Sequence, residues 1–239
     1  MDANTQELVR EMADIVKDRT GLPPHVVVCR LHRSKVDVNR PLPEAAEGNP
    51  AAELAWREHH GFIEKACAAA VARHGFAFLI DMHGHGHPDS RVELGYLHSP
   101  EELAECPDII SSQGFVESGS LAWLAERSKK DYGELIWGEK SLGALLEARG
   151  FPATPSPRMP VPTVPFFRGG YTVSRHCNAT RHVTGLQIEA NRPKLRDTEE
   201  NRRRFAVALY ESLDQYLGIH LRYSLSGARS RSVSTRSDM

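Results

Sequence analysis

Apolar positions near the N-terminus recur with helical spacing. Leu8, Met12, Ile15 and Val16 form one stripe, Asn4 stands where a cap belongs and Glu7 lies at capping-box distance, so a helix is predicted up to the Gly-Leu-Pro-Pro stop at 21–24. Residues 26–29 (Val-Val-Val-Cys) then read as a short buried strand, residues 36–38 as extended chain and residues 41–50 as loop. Asn49-Pro50 is a cap followed by proline at the first helical position, which predicts a long Ala-rich helix ending near His74-Gly75. Residues 76–80 (Phe-Ala-Phe-Leu-Ile) are apolar throughout, the pattern of a strand covered on both faces.

Downstream, residues 92–97 predict another strand, followed by an irregular stretch to about Glu117 and helices over 121–130 and 141–149. Six prolines between Pro152 and Pro165 predict an extended loop, because proline fixes φ and cannot donate within a central strand. Residues 184–190 alternate, with Leu186, Ile188 and Ala190 on one face and Gln187 and Glu189 on the other. Asp197 with Glu200 opens an amphipathic helix through Phe205, Leu209, Leu213 and Leu217. Strands alternating with helices predict an α/β fold: a mixed, largely parallel sheet flanked by helices. One domain over residues 1–223 is expected, with a Ser/Arg-rich disordered tail over 224–239 that holds six serines and three arginines.

Charge narrows the partners. Lys+Arg is 30 against Asp+Glu 31, a formal net charge of -1, which argues against a nucleic-acid footprint or a basic membrane surface. No apolar run is long enough for a membrane span, and the polar N-terminus is unlike a signal peptide, so a cytoplasmic protein is expected. The four cysteines are scattered without a Cys-x-x-Cys pair, which indicates neither a disulfide framework nor a zinc knuckle.

Three segments carry chemistry. Asp81-Met-His-Gly-His-Gly-His87 follows the apolar strand, and ligands in open α/β sheets bind outside the carboxyl ends of strands. Imidazole is the commonest metal ligand and a nearby carboxylate can orient it, so His83 is a candidate ligand and Asp81 a candidate partner behind it. Arg33-Ser-Lys-Val-Asp-Val-Asn-Arg40 sets arginine forks beside an amide, a combination suited to a carboxylate. Glu189 lies on the polar face of an otherwise apolar strand, a costly position for a carboxylate without a partner or a task, such as general base. Each has a plainer reading: a His/Gly-rich surface loop, a salt-bridged turn, and a glutamate paired with Arg192 or Arg196.

The order of these motifs resembles the zinc carboxypeptidase superfamily, and more closely its N-formylglutamate amidohydrolase branch. The matching stretches are Arg33 to Arg40, Asp81-Met-His83, Gly169-Gly-Tyr-Thr-Val-Ser-Arg175-His176 and Gln187-Ile-Glu189. The resemblance implies a hydrolase-like fold and zinc-dependent hydrolysis of a short acyl amide on an acidic amino acid. His83 would then ligate zinc, Asp81 would stand behind it and Glu189 would act as general base. Asn39 and Arg40, with Arg33 or Arg175, would hold the substrate carboxylates; Tyr171 and His176 belong to the same substrate-binding set. The TIM-barrel amidohydrolases share the Asp-x-His-x-His element but need seven further βα units, for which residues 86–239 are too few.

The chain departs from the branch in one respect. A catalytic zinc takes about three protein ligands plus a water. The branch's first ligands precede the Asn-Arg motif, and residues 1–38 contain neither a Pro-His-Gly turn nor a His-x-x-Glu. Asp2 matches an acidic position and is a candidate ligand. The one His-x-x-Glu, His98-Ser-Pro-Glu101, reads better as a Ser99 cap with Pro100 opening a helix. The expectations are therefore a fold lacking its N-terminal strand, or a relative that binds acidic molecules without turnover, or a site completed by His85 or His87.

Overall fold

The computed structural model describes residues 3–227. Helix α1 (Thr5–Thr20) leads into an extended segment and the short α2 (Leu42–Ala46), followed by the long α3 (Pro50–His74). Strands β1 (Ala77–His85) and β2 (Val92–Gly95) precede six short helices: α4 (Pro100–Leu103), α5 (Pro107–Ile110), α6 (Gln113–Ser118), α7 (Ala122–Ser128), α8 (Tyr132–Ile136) and α9 (Leu142–Glu147). The two-residue β3 (Ala153–Thr154), α10 (Tyr171–His176), β4 (Val183–Asn191) and α11 (Glu199–Leu221) complete the order. The fold is α/β, with a mixed sheet in the order β1-β4-β2-β3 flanked by helices. Two of its three pairings are parallel; β2 runs antiparallel to β4.

One face of the sheet is apolar. Leu186, Ile188 and Ala190 of β4 share a buried cluster with Leu8 and Ile15 of α1 and Phe205, Leu209 and Leu213 of α11. The parallel register sets Met82 beside Ile188 and His83 beside Glu189, so the opposite face is polar. Among the described residues no helix is long and apolar enough to cross a membrane.

Several expectations are corrected. The histidine motif is not a loop after the strand: β1 runs on through His85, because residues 81–85 pair in register with residues 187–191. Residues 26–29 form no strand. Val27 lines a cavity of about 550 Å³ that reaches β1, and Val26 is 43% exposed. The 41–50 loop contains α2, and the stretch before Glu117 is organised as α4 to α6. Asn4 does not cap α1 through its side chain; its Nδ2 donates instead to the Arg196 carbonyl at 2.9 Å. Thr198, rather than Asp197, caps α11 by accepting from Asn201 N. Asn49 does cap α3, accepting from the amides of Ala51 and Ala52. Leu225 N donates to Asp214 Oδ1 at 2.7 Å, and residues 228–239 of the expected tail lie outside the described residues.

Arg196, 1% exposed, fastens three elements together. Its guanidinium donates to the carbonyls of Ala190 at 2.8 Å, His85 at 2.9 Å and Ala3. Gly84 makes room for it, since a Cβ there would collide with the guanidinium. Hydrogen bonds to a charged donor contribute about 1.5–3 kcal/mol each, and stranding a buried carbonyl carries a desolvation cost. Arg196→Met is therefore expected to lower unfolding free energy by about 3 kcal/mol or more in urea titrations. Gly84→Ala should destabilise in the same direction.

Candidate functional site

The polar face of the sheet forms the floor of a cleft of about 850 Å³. Asp81, His83 and His85 alternate along β1 and lie beside Gln187, Glu189 and Asn191 of β4, with Glu93 of β2 beyond Glu189. Gly169 and Gly170 pass close over this surface. A Cβ on Gly170 would collide with the side-chain amides of Asn39 and Gln187.

The turn bearing Arg33, Asn39 and Arg40 is held in place by α3. Val36 packs in a second core cluster with Ala45, Ala46, Ala52 and Trp56. Trp56 Nε1 donates to the Arg40 carbonyl at 2.9 Å, and the His60 ring bonds the Val38 carbonyl at 3.0 Å. Asp37 gathers the segment: Oδ1 accepts from Asn39 N at 3.1 Å, and Oδ2 lies 2.8 Å from Arg33 and 3.9 Å from Arg40. Both guanidinium groups stay about 60% exposed at the mouth. The Asn39 side chain reaches inward, its Oδ1 accepting from Thr172 N at 3.0 Å and its Nδ2 lying 3.4 Å from His83 Nε2.

Six of the expected site residues therefore surround one cleft: Arg33, Asn39, Arg40, Tyr171, His83 and Glu189. Asp81 Oδ2 lies 3.2 Å from His83 Nε2, the same ring nitrogen that faces Asn39. Glu189, 5% exposed, accepts from Gln187 Nε2 at 2.8 Å. Arg175 does not line the cleft. Its guanidinium lies over the Trp56 ring, 4.9 Å from the centroid, and pairs with Glu64 at 3.2 Å. His176 is also turned away, bonded through Nε2 to His60 Nδ1 at 2.8 Å. Asp2 lies outside the described residues. His98 is buried, stacked on Phe115 and bonded to Tyr132, while Ser99 and Glu102 form the capping box of α4.

A second polar group borders the first. His87 Nδ1 lies 2.9 Å from Glu93 Oε1, and Glu93 Oε2 accepts from Phe167 N at 2.9 Å. Arg91, 3% exposed, approaches Glu93 at 3.3 Å and Asp89 at 3.1 Å and also donates to the Thr163 and Pro165 carbonyls. Glu93 was missed in the sequence although residues 91–94 (Arg-Val-Glu-Leu) carry the same signal as residues 186–189 (Leu-Gln-Ile-Glu): polar or charged side chains alternating with apolar ones in a strand.

These donors can be tested against the zinc that the resemblance implies. His83 Nε2 lies 3.2 Å from Asp81 Oδ2 and 3.4 Å from the Asn39 amide nitrogen, which is not a zinc ligand. Among the described residues, the group of three metal-ligating side chains is His85, His87 and Glu93, and His83 is not in it. The described residues thus do not complete a zinc site at His83.

No family model, curated protein or solved structure matches the chain.

The His60–His176 pair is a buried structural element with a pH signature. Burial, then the charge of His59, takes His60 down to about 4; burial, then His60, takes His176 down to about 3. Both are neutral in the folded chain at pH 7, whereas in the unfolded chain each takes up a proton near pH 6.5. The unfolded state binds more protons below that point, so stability is full above about pH 6.5 and falls as pH drops towards 4. Thermal melts should show Tm falling over that window, and His176→Gln should flatten the dependence; an unchanged slope would remove the pair from the account.

Proposed function

We propose that the chain is a hydrolase-type protein acting on a short N-acylated acidic amino acid, the substrate class implied by its resemblance to the N-formylglutamate amidohydrolases. The observation that carries this reading is the meeting of His83 and Glu189, in register on adjacent strands, beneath a mouth bearing Arg33 and Arg40. Those segments are far apart in sequence, and the His83 and Glu189 side chains lie on the sheet face opposite the apolar core.

In this reading Arg40 and Arg33 receive a substrate carboxylate, a role suited to planar guanidinium forks. The Asn39 amide is held by Thr172 N and aimed at the floor of the cleft, where it orients the acyl amide. Glu189, steadied by Gln187, takes the proton from an attacking water and returns it to the leaving amine. His83 stands opposite it as a hydrogen-bonding partner for the developing oxyanion. A second reading, binding without turnover, is favoured by the short donor set around His83.

Formate release from N-formylglutamate, assayed with zinc added, separates the two. Loss of a general base typically costs 10²- to 10⁴-fold, so Glu189→Gln should reduce kcat by about 100-fold or more. Arg40→Ala should raise KM about tenfold with a smaller change in kcat. Wild-type protein that binds N-formylglutamate calorimetrically yet releases no formate would support the second reading. Equal rates in wild type and both variants would exclude the first.

A further inference from the structure

We propose that His85, His87 and Glu93 form a binding site for a zinc-class divalent cation, two strand positions beyond His83. Two imidazoles and one carboxylate are a donor set found in catalytic zinc sites, leaving one coordination position open. One ligand atom from each residue lies within 4.8 Å of the others. Tetrahedral zinc at bond lengths of about 2.0–2.1 Å holds its ligand atoms roughly 3.3 Å apart, so a small inward adjustment closes the set. His87 can supply it, being at the cleft rather than in the core.

What distinguishes this trio from an incidental cluster is the support behind two of its donors, His85 and Glu93. A metal-bound histidine characteristically donates its other ring N–H to a carbonyl or carboxylate, fixing the tautomer. The Nε2 of His85 lies 2.7 Å from the Arg91 carbonyl, which leaves the lone pair on Nδ1, where it accepts from the His87 backbone N–H at 3.1 Å; a bound ion would take the place of that hydrogen bond. Glu93, fully buried, has Oε2 held by Phe167 N and presents Oε1, which also accepts from Arg91 Nη2 at 3.3 Å, to His87 Nδ1. The contact between His87 Nδ1 and Glu93 Oε1 is then a proton occupying the place of a cation.

Arg91 lies against Glu93 and is offset by Asp89, while the Arg196 guanidinium bonds the His85 carbonyl, so the surroundings are neutral overall when both imidazoles are neutral and a bound ion would be held by its donors rather than by excess negative charge. His85 and His87 both line the cleft, so the open coordination position of a bound ion would face the same space as His83 and Glu189. The site stands on these donors whether or not the cleft turns over an amide.

The test is metal binding rather than activity. Metal-stripped full-length protein is titrated with zinc by calorimetry and with cobalt(II) by visible absorption, alongside His87→Ala, Glu93→Gln and His83→Ala. About one ion per chain is expected, with the intense visible bands of four-coordinate cobalt. Affinity should fall at least 100-fold in His87→Ala and Glu93→Gln and change less than threefold in His83→Ala. Zinc should raise the Tm of wild type and of His83→Ala but not of His87→Ala, whose partly exposed ring can be removed without opening the core. No binding by wild type, or binding lost only in His83→Ala, would overturn the site. So would an equal zinc-induced rise in Tm for His87→Ala and wild type. Tight zinc binding without formate release would leave the site standing and remove the hydrolase reading alone.

Discussion

The parallel pairing of β1 with β4 is the constraint on which the rest of the molecule depends. Side chains alternate along a strand, so a slip of one residue would carry Asp81, His83 and His85 into the apolar face and Ile80 and Met82 into the cleft. Burial of Leu186, Ile188 and Ala190 against α1 and α11 sets which face of β4 is apolar. The observed register then places His83 beside Glu189. Arg196 locks the far end by bonding carbonyls at the ends of both strands, and the absent side chain at Gly84 lets it sit there. A packing requirement on one face of the sheet thereby places chemistry on the other.

The second support is α3, which holds the arginine-bearing turn over that polar face. Trp56 and His60 grip the backbone of residues 38–40, and His60 is itself braced by His176. Arg33 and Arg40 remain exposed while pairing with Asp37, because Trp56 and His60 hold the backbone of the turn. Arg175 and His176 serve the same scaffold from the opposite side: one covers Trp56 and the other bonds His60. Both support the wall of the cleft without entering it.

Much of the site could be read along the chain, because its residues violate the pattern around them. Glu189 is a carboxylate within a buried strand, and Asp81, His83 and His85 continue an apolar one; such departures cost free energy unless something repays them. The parts that could not be read have a common cause. Whether His176 faces a substrate or another histidine depends on α3, more than a hundred residues away. Whether Glu93 meets His87 depends on how β2 lies against the end of β1, which no local spacing encodes. The stretch at 26–29 has strand propensity but no pairing partner among the described residues, so propensity alone did not make it a strand.

By itself the sequence determined the alternation of apolar and polar faces, the helices with clear stops such as α3, and the residues able to bind a carboxylate, a proton or a metal. These follow from local chemistry: side-chain period, capping and the cost of buried charge. Only the tertiary structure decided which of those residues meet. It gathered Asn39, His83 and Glu189 into one cleft, and it joined His85, His87 and Glu93 through buried contacts to Arg91 and Phe167. The reason is that coordination and catalysis depend on distances between segments remote in sequence, and those distances are set by strand register and core packing rather than by any residue's own preference.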